Sequence, residues 1–393
     1  VRLVGSEMCI RDRCFMEVFM KIKKITAIFT CLMLVLCCIP IYADEINSVT
    51  SYILIEARTG TVLEEKDSQR ELNCGYLSKL MSLLIIAEDI ETGKYKLDDV
   101  LTAPNAVTGT KGSVVWLEAG DKMTVEELLK SVIIGNANDA LTVLAVASQQ
   151  NIEKFTSEMN RRAFDLGLRN TVFMSPHGYY NEKEYTTAHD MAIICSELSR
   201  YEFLEPYFKT WRDFVKEGQT ELVNENTLSR TYKSHLGYKA AHSEQSGYCM
   251  AEAGISDDGN TFIAVVLGAE DEDTMFSTAK KLVNKGFNEY KVTVPGFLDE
   301  LLLPMKVKHG VDSAVELELK SQNSIVIPRN VSELSNVVVL PQFVSAPIRR
   351  GQKIGCIGFY NKDTLVYETE IIAKSDVDKL SLIHISEPTR RTP

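Results

Sequence analysis

Between residues 48 and 293 the apolar positions change period several times, and each change predicts an element. Ser51–Ala57 and Thr61–Leu63 are apolar-rich runs on either side of Arg58–Thr59–Gly60, which predicts a β-hairpin. Leu77, Leu80, Met81 and Leu84 then fall at helical spacing, so a helix buries that face and carries Tyr76 and Lys79 beside it. Thr124–Val125–Glu126–Glu127 has the form of a capping box. The amphipathic run Val125, Leu128, Leu129, Val132, Ile133 follows it and stops at Gly135. The next helix begins near Asp139, which leaves Asn136, Ala137 and Asn138 on a short turn between two helices. A further helix spans about Ile152–Leu166, and strands are expected at about Leu236–Ala241, Gly247–Ala253 and Phe262–Leu267, the last two joined through Asp258–Gly259. Helices set between an early hairpin and a late antiparallel run imply an α+β fold, an antiparallel sheet covered by helices.

The pattern changes at Val294–Pro295–Gly296. Beyond it short β-rich runs (Val315–Leu319, Ile325–Ile327, Val337–Leu340, Ile354–Phe359, Val366–Ile372) are separated by Pro, Asn, Gly and Asp, as in a small all-β sandwich. The expected organisation is therefore a first domain over 44–293 and a second, C-terminal all-β sandwich domain over 294–380. Met20–Ala43 has a basic start, an apolar run and a small residue before Asp44–Glu45, and reads as a secretory signal peptide, with a membrane anchor as the alternative. Residues 1–19 and 381–393 read as foreign to the folded chain, which leaves room for a membrane-associating tail that this sequence lacks.

The chain has 393 residues, 45% hydrophobic and 25% charged, enough for two cores. Its net charge is −11. Residues 1–43 carry +3 of that and residues 381–393 carry +1, so the remainder stands nearer −15. Such a balance argues against nucleic acid as a partner. Five of nine Cys precede Ala43, and Cys74, Cys195, Cys249 and Cys356 show no metal-ligand spacing and read as buried free thiols.

Several stretches resemble the serine-type D-alanyl-D-alanine carboxypeptidases, the low-molecular-mass penicillin-binding proteins. They are ILIEARTGTVLEEK (53–66), MTVEELLKSVIIGNANDALTVLA (123–145), LGLRNTVFMSPHGYYNEKEYTTAHDMA (166–192), SGYCMAEAG (246–254) and IAVVLGAE (263–270). The resemblance implies a β-lactamase/transpeptidase-like first domain, a trailing sandwich, an extracytoplasmic setting at the cell wall and no cofactor or metal. Its chemistry rests on Ser-x-x-Lys, Ser-x-Asn and Lys-Thr-Gly around one cleft. A helix places residues i and i+3 on one face, so the lysine amine can take the serine proton.

The residues matching these motifs depart from them. Tyr76 stands at the nucleophile position, with Lys79 kept at the general-base position. Asn136 replaces the proton-relay serine and cannot exchange a proton at neutral pH, while Asn138 is kept. Lys239 is kept for substrate binding, but Ala240 lacks the hydroxyl of the Thr and Ala241 adds a methyl where Gly allows close backbone pairing. Ser78 lies about 100° round the helix from Lys79 and points elsewhere. The literal Ser277–Thr278–Ala279–Lys280 falls after the strands and reads as helix surface, and His177, His189 and Asp190 read as structural. The expectation is a non-catalytic carboxypeptidase homologue that binds a peptidoglycan stem peptide or a cell-wall protein, with two lysines near Asn138 available to a carboxylate. The alternatives are an active D-alanyl-D-alanine carboxypeptidase and a β-lactamase.

Overall fold

In the computed structural model, residues 48–297 and 301–380 are described; the leader-like segment 20–43 and the end segments 1–19 and 381–393 lie outside them. Strands β1 (Val49–Glu56) and β2 (Val62–Lys66) form the expected hairpin. A 3₁₀ turn, Gly75–Ser78, runs straight into helix α1 (Lys79–Glu91), so Tyr76 lies on the tighter turn and Lys79 opens the α-helix.

Next comes a small hairpin of β3 (Val100–Thr102) and β4 (Lys122–Thr124). Helix α2 (Val125–Ile133) starts at a complete capping box in which Thr124 and Glu127 satisfy each other's backbone N–H. Helices α3 (Asn138–Gln149), α4 (Ile152–Asp165), α5 (Ala188–Leu198) and α6 (Glu205–Lys209) follow. A second small hairpin, β5 (Arg212–Val215) and β6 (Thr220–Val223), precedes the short α7 (Leu228–Thr231).

The central sheet is completed by β7 (His235–Ser243), β8 (Gly247–Ile255) and β9 (Thr261–Ala269), in the order β2-β1-β9-β8-β7 and antiparallel throughout. Its pleat sends alternate residues to opposite faces. Ile263, Val265 and Leu267 join the cluster of Leu80, Leu84 and Met191, whereas Phe262 meets Phe287 of α8 (Glu272–Glu289) edge-on at 5.7 Å. Strand β7 is one edge of the sheet, and it flanks the turn that carries Tyr76.

The C-terminal part holds nine short strands: β10 (Tyr290–Thr293), β11 (Met305–Lys308), β12 (Ala314–Val315), β13 (Leu317–Leu319), β14 (Ile325–Pro328), β15 (Ser335–Val339), β16 (Val344–Ser345), β17 (Lys353–Asn361) and β18 (Thr364–Ala373). They form a pair (β10-β14), a three-stranded sheet (β12-β11-β16) and a four-stranded sheet (β13-β18-β17-β15). Ile348, Ile357, Phe359, Ile371 and Ala373 belong to the core of the three- and four-stranded sheets, and Ile325, Ile327 and Val331 form a separate small cluster. The composition change at Val294 puts Tyr290–Thr293 with the first domain, yet this strand ladders with Ile325–Pro328, because pairing is decided by a partner that composition does not reveal. Arg329 ties the two parts together: its Nε donates to the Phe287 carbonyl at 2.5 Å and its guanidinium reaches Asp258 Oδ2 at 2.5 Å.

Gly286 sets how closely α8 approaches the sheet. A methyl there would stand 2.7 Å from the Phe262 ring, which is fully buried and has no room to retreat. Gly286→Ala gains about 1 kcal/mol of helix propensity, but the overpacking costs ~1–3 kcal/mol. Net destabilisation is expected, read as a lower denaturant midpoint with an unchanged m-value.

Candidate active-site cleft

The three motif positions meet at one place. The 3₁₀ turn is fixed from behind by the Ser175–Tyr179 segment. A Cβ on Gly178, whose φ is +74°, would come within 2.4 Å of the Gly75 carbonyl oxygen and 2.5 Å of Ser78 Oγ, so only glycine permits this approach. Ser78 is fully buried and donates to the Gly75 carbonyl at 2.9 Å, which turns its hydroxyl away from Lys79. Tyr76 is half-buried against the main core, and its ring centroid lies 5.1 Å from Lys79 Nζ.

Lys79 is 0% exposed. Its ammonium donates to both the backbone carbonyl and the side-chain Oδ1 of Asn136, each at 2.6 Å. Asn136 reaches this position from a left-handed backbone (φ +54°), which asparagine tolerates better than most residues. Its Nδ2 donates to Glu225 Oε2 at 3.2 Å. Lys239 is also buried and donates to the carbonyls of Val132 and Ile133 at 3.0 and 3.1 Å, at the C-terminal end of α2 where a cation is favoured. Each amine gives two hydrogen bonds to protein oxygens, where the sequence expectation has both lysines facing a ligand. A buried cation must find acceptors close by, and the backbone supplies them. Ala240 and Ala241 are both buried on β7.

Asn138 opens α3. Its Nδ2 donates to the Lys111 carbonyl at 2.7 Å, an oxygen that also accepts from Tyr179 at 2.7 Å. Asn138 Oδ1 is buried with no partner among the described residues. Asp139 accepts from the N–H groups of Val115 and Leu117 at 3.1 and 2.9 Å, and so holds the loop that presents Trp116, exposed and at φ +58°. His177 shares a 2.9 Å hydrogen bond with Thr142 Oγ1, and Asp190 accepts from Thr171 Oγ1 at 2.7 Å, both structural arrangements. Ser277 donates to Thr274 within α8, and Lys280 is solvated helix surface. Glu225 and Tyr179 were not singled out by the sequence reading; the Asn224–Glu225–Asn226 stretch carries no recognisable chemistry until the fold brings it to Asn136. Among the described residues no cluster of His, Cys, Asp or Glu is placed to hold a metal.

Comparison with known proteins gives the family. Residues 41–271 match the sequence profile described as D-alanyl-D-alanine carboxypeptidase, and residues 299–379 match that of the penicillin-binding protein 5 C-terminal domain. The chain belongs to the D-alanyl-D-alanine carboxypeptidase family. It is 31% identical over 343 residues to D-alanyl-D-alanine carboxypeptidase DacF of Bacillus subtilis, covering 86% of this chain and 88% of that protein. It is 29% identical over 343 residues to DacC of Escherichia coli, covering 84% of each chain. Among solved structures, penicillin-binding protein 5 from Haemophilus influenzae superposes with a TM-score of 0.77 at 23% identity, covering 84% of this chain and 98% of that one, which is a likeness of fold.

Burial dominates the electrostatics of the cleft. Burial pushes the Lys79 ammonium well below its usual range, with the nearby charge of Lys239 as the second cause. Burial lowers Lys239 from 10.5 to about 8. His177 falls to about 4, through burial and then the charge of Lys79. Because the folded state releases the Lys239 proton before the unfolded chain does, stability contributed at this residue rises as pH increases from about 8 to 10.5. Urea midpoints at pH 7.5 and 9.5 are expected to show that rise in the native chain relative to Lys239→Met; parallel pH profiles would contradict the assignment.

Proposed function

We propose that this chain is a non-catalytic member of the carboxypeptidase family, working outside the cytoplasm on the peptidoglycan face of the cell envelope, where it binds a stem peptide or a wall-associated partner without cleaving it. The observation that carries this reading is the pairing of Tyr76 with a fully buried Lys79 whose amine is held by Asn136. Acyl transfer needs a hydroxyl beside a free amine and space for the substrate carbonyl. Here a phenol ring stands beside the amine in place of an aliphatic hydroxyl, and both hydrogen bonds of the amine go to Asn136.

What the cleft keeps is its wall. Strand β7 remains at the sheet edge, and an extended peptide can pair with such an edge through backbone groups alone. The names of the relatives, D-alanyl-D-alanine carboxypeptidases, supply the substrate class: peptides ending in D-Ala-D-Ala. Where those relatives would hold the peptide for hydrolysis, this chain would hold it and release it unchanged.

Incubation of the purified protein with a fluorescent penicillin, followed by denaturing electrophoresis and intact mass, is expected to show no adduct. Covalent labelling that disappears in Tyr76→Phe would sink the proposal. Tyr76→Ser alone is expected to stay unlabelled, because Asn136 still occupies Lys79. Joint reversion of Tyr76→Ser, Asn136→Ser, Ala240→Thr and Ala241→Gly is expected to raise acylation by ~100-fold or more over the single variant, the scale of restoring a proton-transfer partner.

A further inference from the structure

The turn that carries Tyr76 is clasped by residues 172–186, and the clasp holds a buried acid outside the three motifs. Leu72 and Thr186 exchange backbone hydrogen bonds at 2.8 and 2.9 Å, and Val172 pairs with Tyr185. Asn73 joins the two sides: its Nδ2 donates to the Glu184 carbonyl at 3.2 Å and its Oδ1 accepts from the Gly75 N–H at 3.0 Å. The Glu184 side chain is 3% exposed and lies among Cys74, Ser78 and Met174. Its Oε2 accepts from the Met174 N–H at 3.0 Å, whereas Oε1 is buried with no partner among the described residues. A neutral carboxyl can leave one oxygen bare at modest cost, but a carboxylate buried in the same way costs far more.

We propose that Glu184 is a proton latch on the cleft: neutral, it keeps residues 172–186 closed on the Gly75–Ser78 turn, and ionised, it frees that turn and the Tyr76 ring with it. The bare Oε1 drives the change. An anion there needs a donor, and the two at hand are water and the Ser78 hydroxyl, which in the closed state donates to the Gly75 carbonyl at 2.9 Å. Recruiting the hydroxyl breaks a bond that shapes the turn, and admitting water opens the clasp. Gly178 leaves no slack between them, since it packs directly on the Gly75 carbonyl and Ser78 Oγ. Strand β7 flanks the same turn, so the room beside that strand becomes pH-dependent.

The surroundings set the pH window. Burial pushes the Glu184 carboxyl from 4.5 up to about 7, against the opposing hydrogen bonds from Met174, Ser78 and Ser175. The folded chain therefore keeps a proton that the unfolded chain has lost, so the closed latch is fully stable below about 4.5 and weakens as pH rises through about 7. The groups nearest to it stay neutral across that window. Burial, and then the charge of Glu184, holds the Cys74 thiol well above its usual range, and Cys249, which lies near Cys74, is pushed up to about 11. His177, on the same segment, falls to about 4. Among the described residues no Lys, Arg or His forms an ion pair with Glu184; Lys79 and Lys239 give their hydrogen bonds to Asn136 and to the end of α2.

The test is hydrogen exchange of the full chain, read by mass spectrometry at pH 5.5 and 8.0 and corrected for intrinsic rates. Peptides covering 74–80 and 172–186 are expected to lose about tenfold in protection between the two, while α8 keeps its own. Glu184→Gln, uncharged and of the same shape, is expected to hold the protection of both segments level, which also removes any share of the pH effect that belongs to the lysines. Ser78→Ala withdraws a donor that serves the carboxylate, so the midpoint of the loss is expected to move to higher pH. Equal protection at both pH values in the native chain, or the same loss in Glu184→Gln, overturns the proposal. Should Glu184→Gln fail to fold, an unmoved midpoint in Ser78→Ala overturns it instead. The latch belongs to the fold and does not depend on whether the cleft cleaves its ligand, so exchange and penicillin labelling can fail separately.

Discussion

The site is organised around the need of one buried ammonium for acceptors. Lys79 opens α1 with its amine out of reach of water, and a lone cation in that position would cost several kcal/mol. Asn136 meets the need with two oxygens at once. It can do so only from a left-handed backbone at the α2–α3 turn, which brings its carbonyl and its side chain to the same side. The position of α3, and with it Asn138 and the Asp139 clamp on the Trp116 loop, follows from that turn. The second lysine is dealt with in the same way, by the last carbonyls of α2.

Seen from this constraint, the four departures from the family motifs are coupled. An asparagine at 136 offers Lys79 two acceptor oxygens. The ring of Tyr76 lies beside the ammonium at 5.1 Å, where its π face is a favourable neighbour for a cation. On β7, Ala240 and Ala241 are buried and add apolar surface at positions where a hydroxyl and a bare backbone would serve a ligand. Each change suits a packed cleft.

Much of this was legible in the residues. The hairpin, the capping box at Thr124, the three late strands and the Tyr76–Lys79 spacing all depend on local periodicity, and they stand where periodicity puts them. The β1-β2 and β7-β8-β9 pairings and their antiparallel sense follow from short hairpin links, whereas the joining of β1 to β9 is a long-range pairing that no local pattern announces. What could not be read is tertiary. The sequence presents Lys79 and Lys239 as two cations beside a cleft, but whether an amine faces solvent or a carbonyl depends on segments 57 and about 107 residues away. Glu225 has no motif of its own, and it matters only because the β6–α7 connection passes Asn136. The assignment of Tyr290–Thr293 to the C-terminal ladder was hidden for the same reason.

The rigidity of this arrangement also bears on the edge strand β7. Gly178 lets the Ser175–Tyr179 segment press on the 3₁₀ turn from one side, and β7 flanks that turn from the other. The buried network behind β7 holds the strand in place: His235 Nδ1 lies 2.7 Å from Glu252 Oε1, and Asn226 donates to Glu252 Oε2 at 2.9 Å. This network fixes the Asn224–Asn226 segment and so places Glu225 at the rim beside Asn136. An edge strand held from behind by buried polar bonds loses little freedom when a peptide pairs with it, which lowers the entropic cost of docking. The packing that buries Lys79 also stiffens the β7 wall of the cleft.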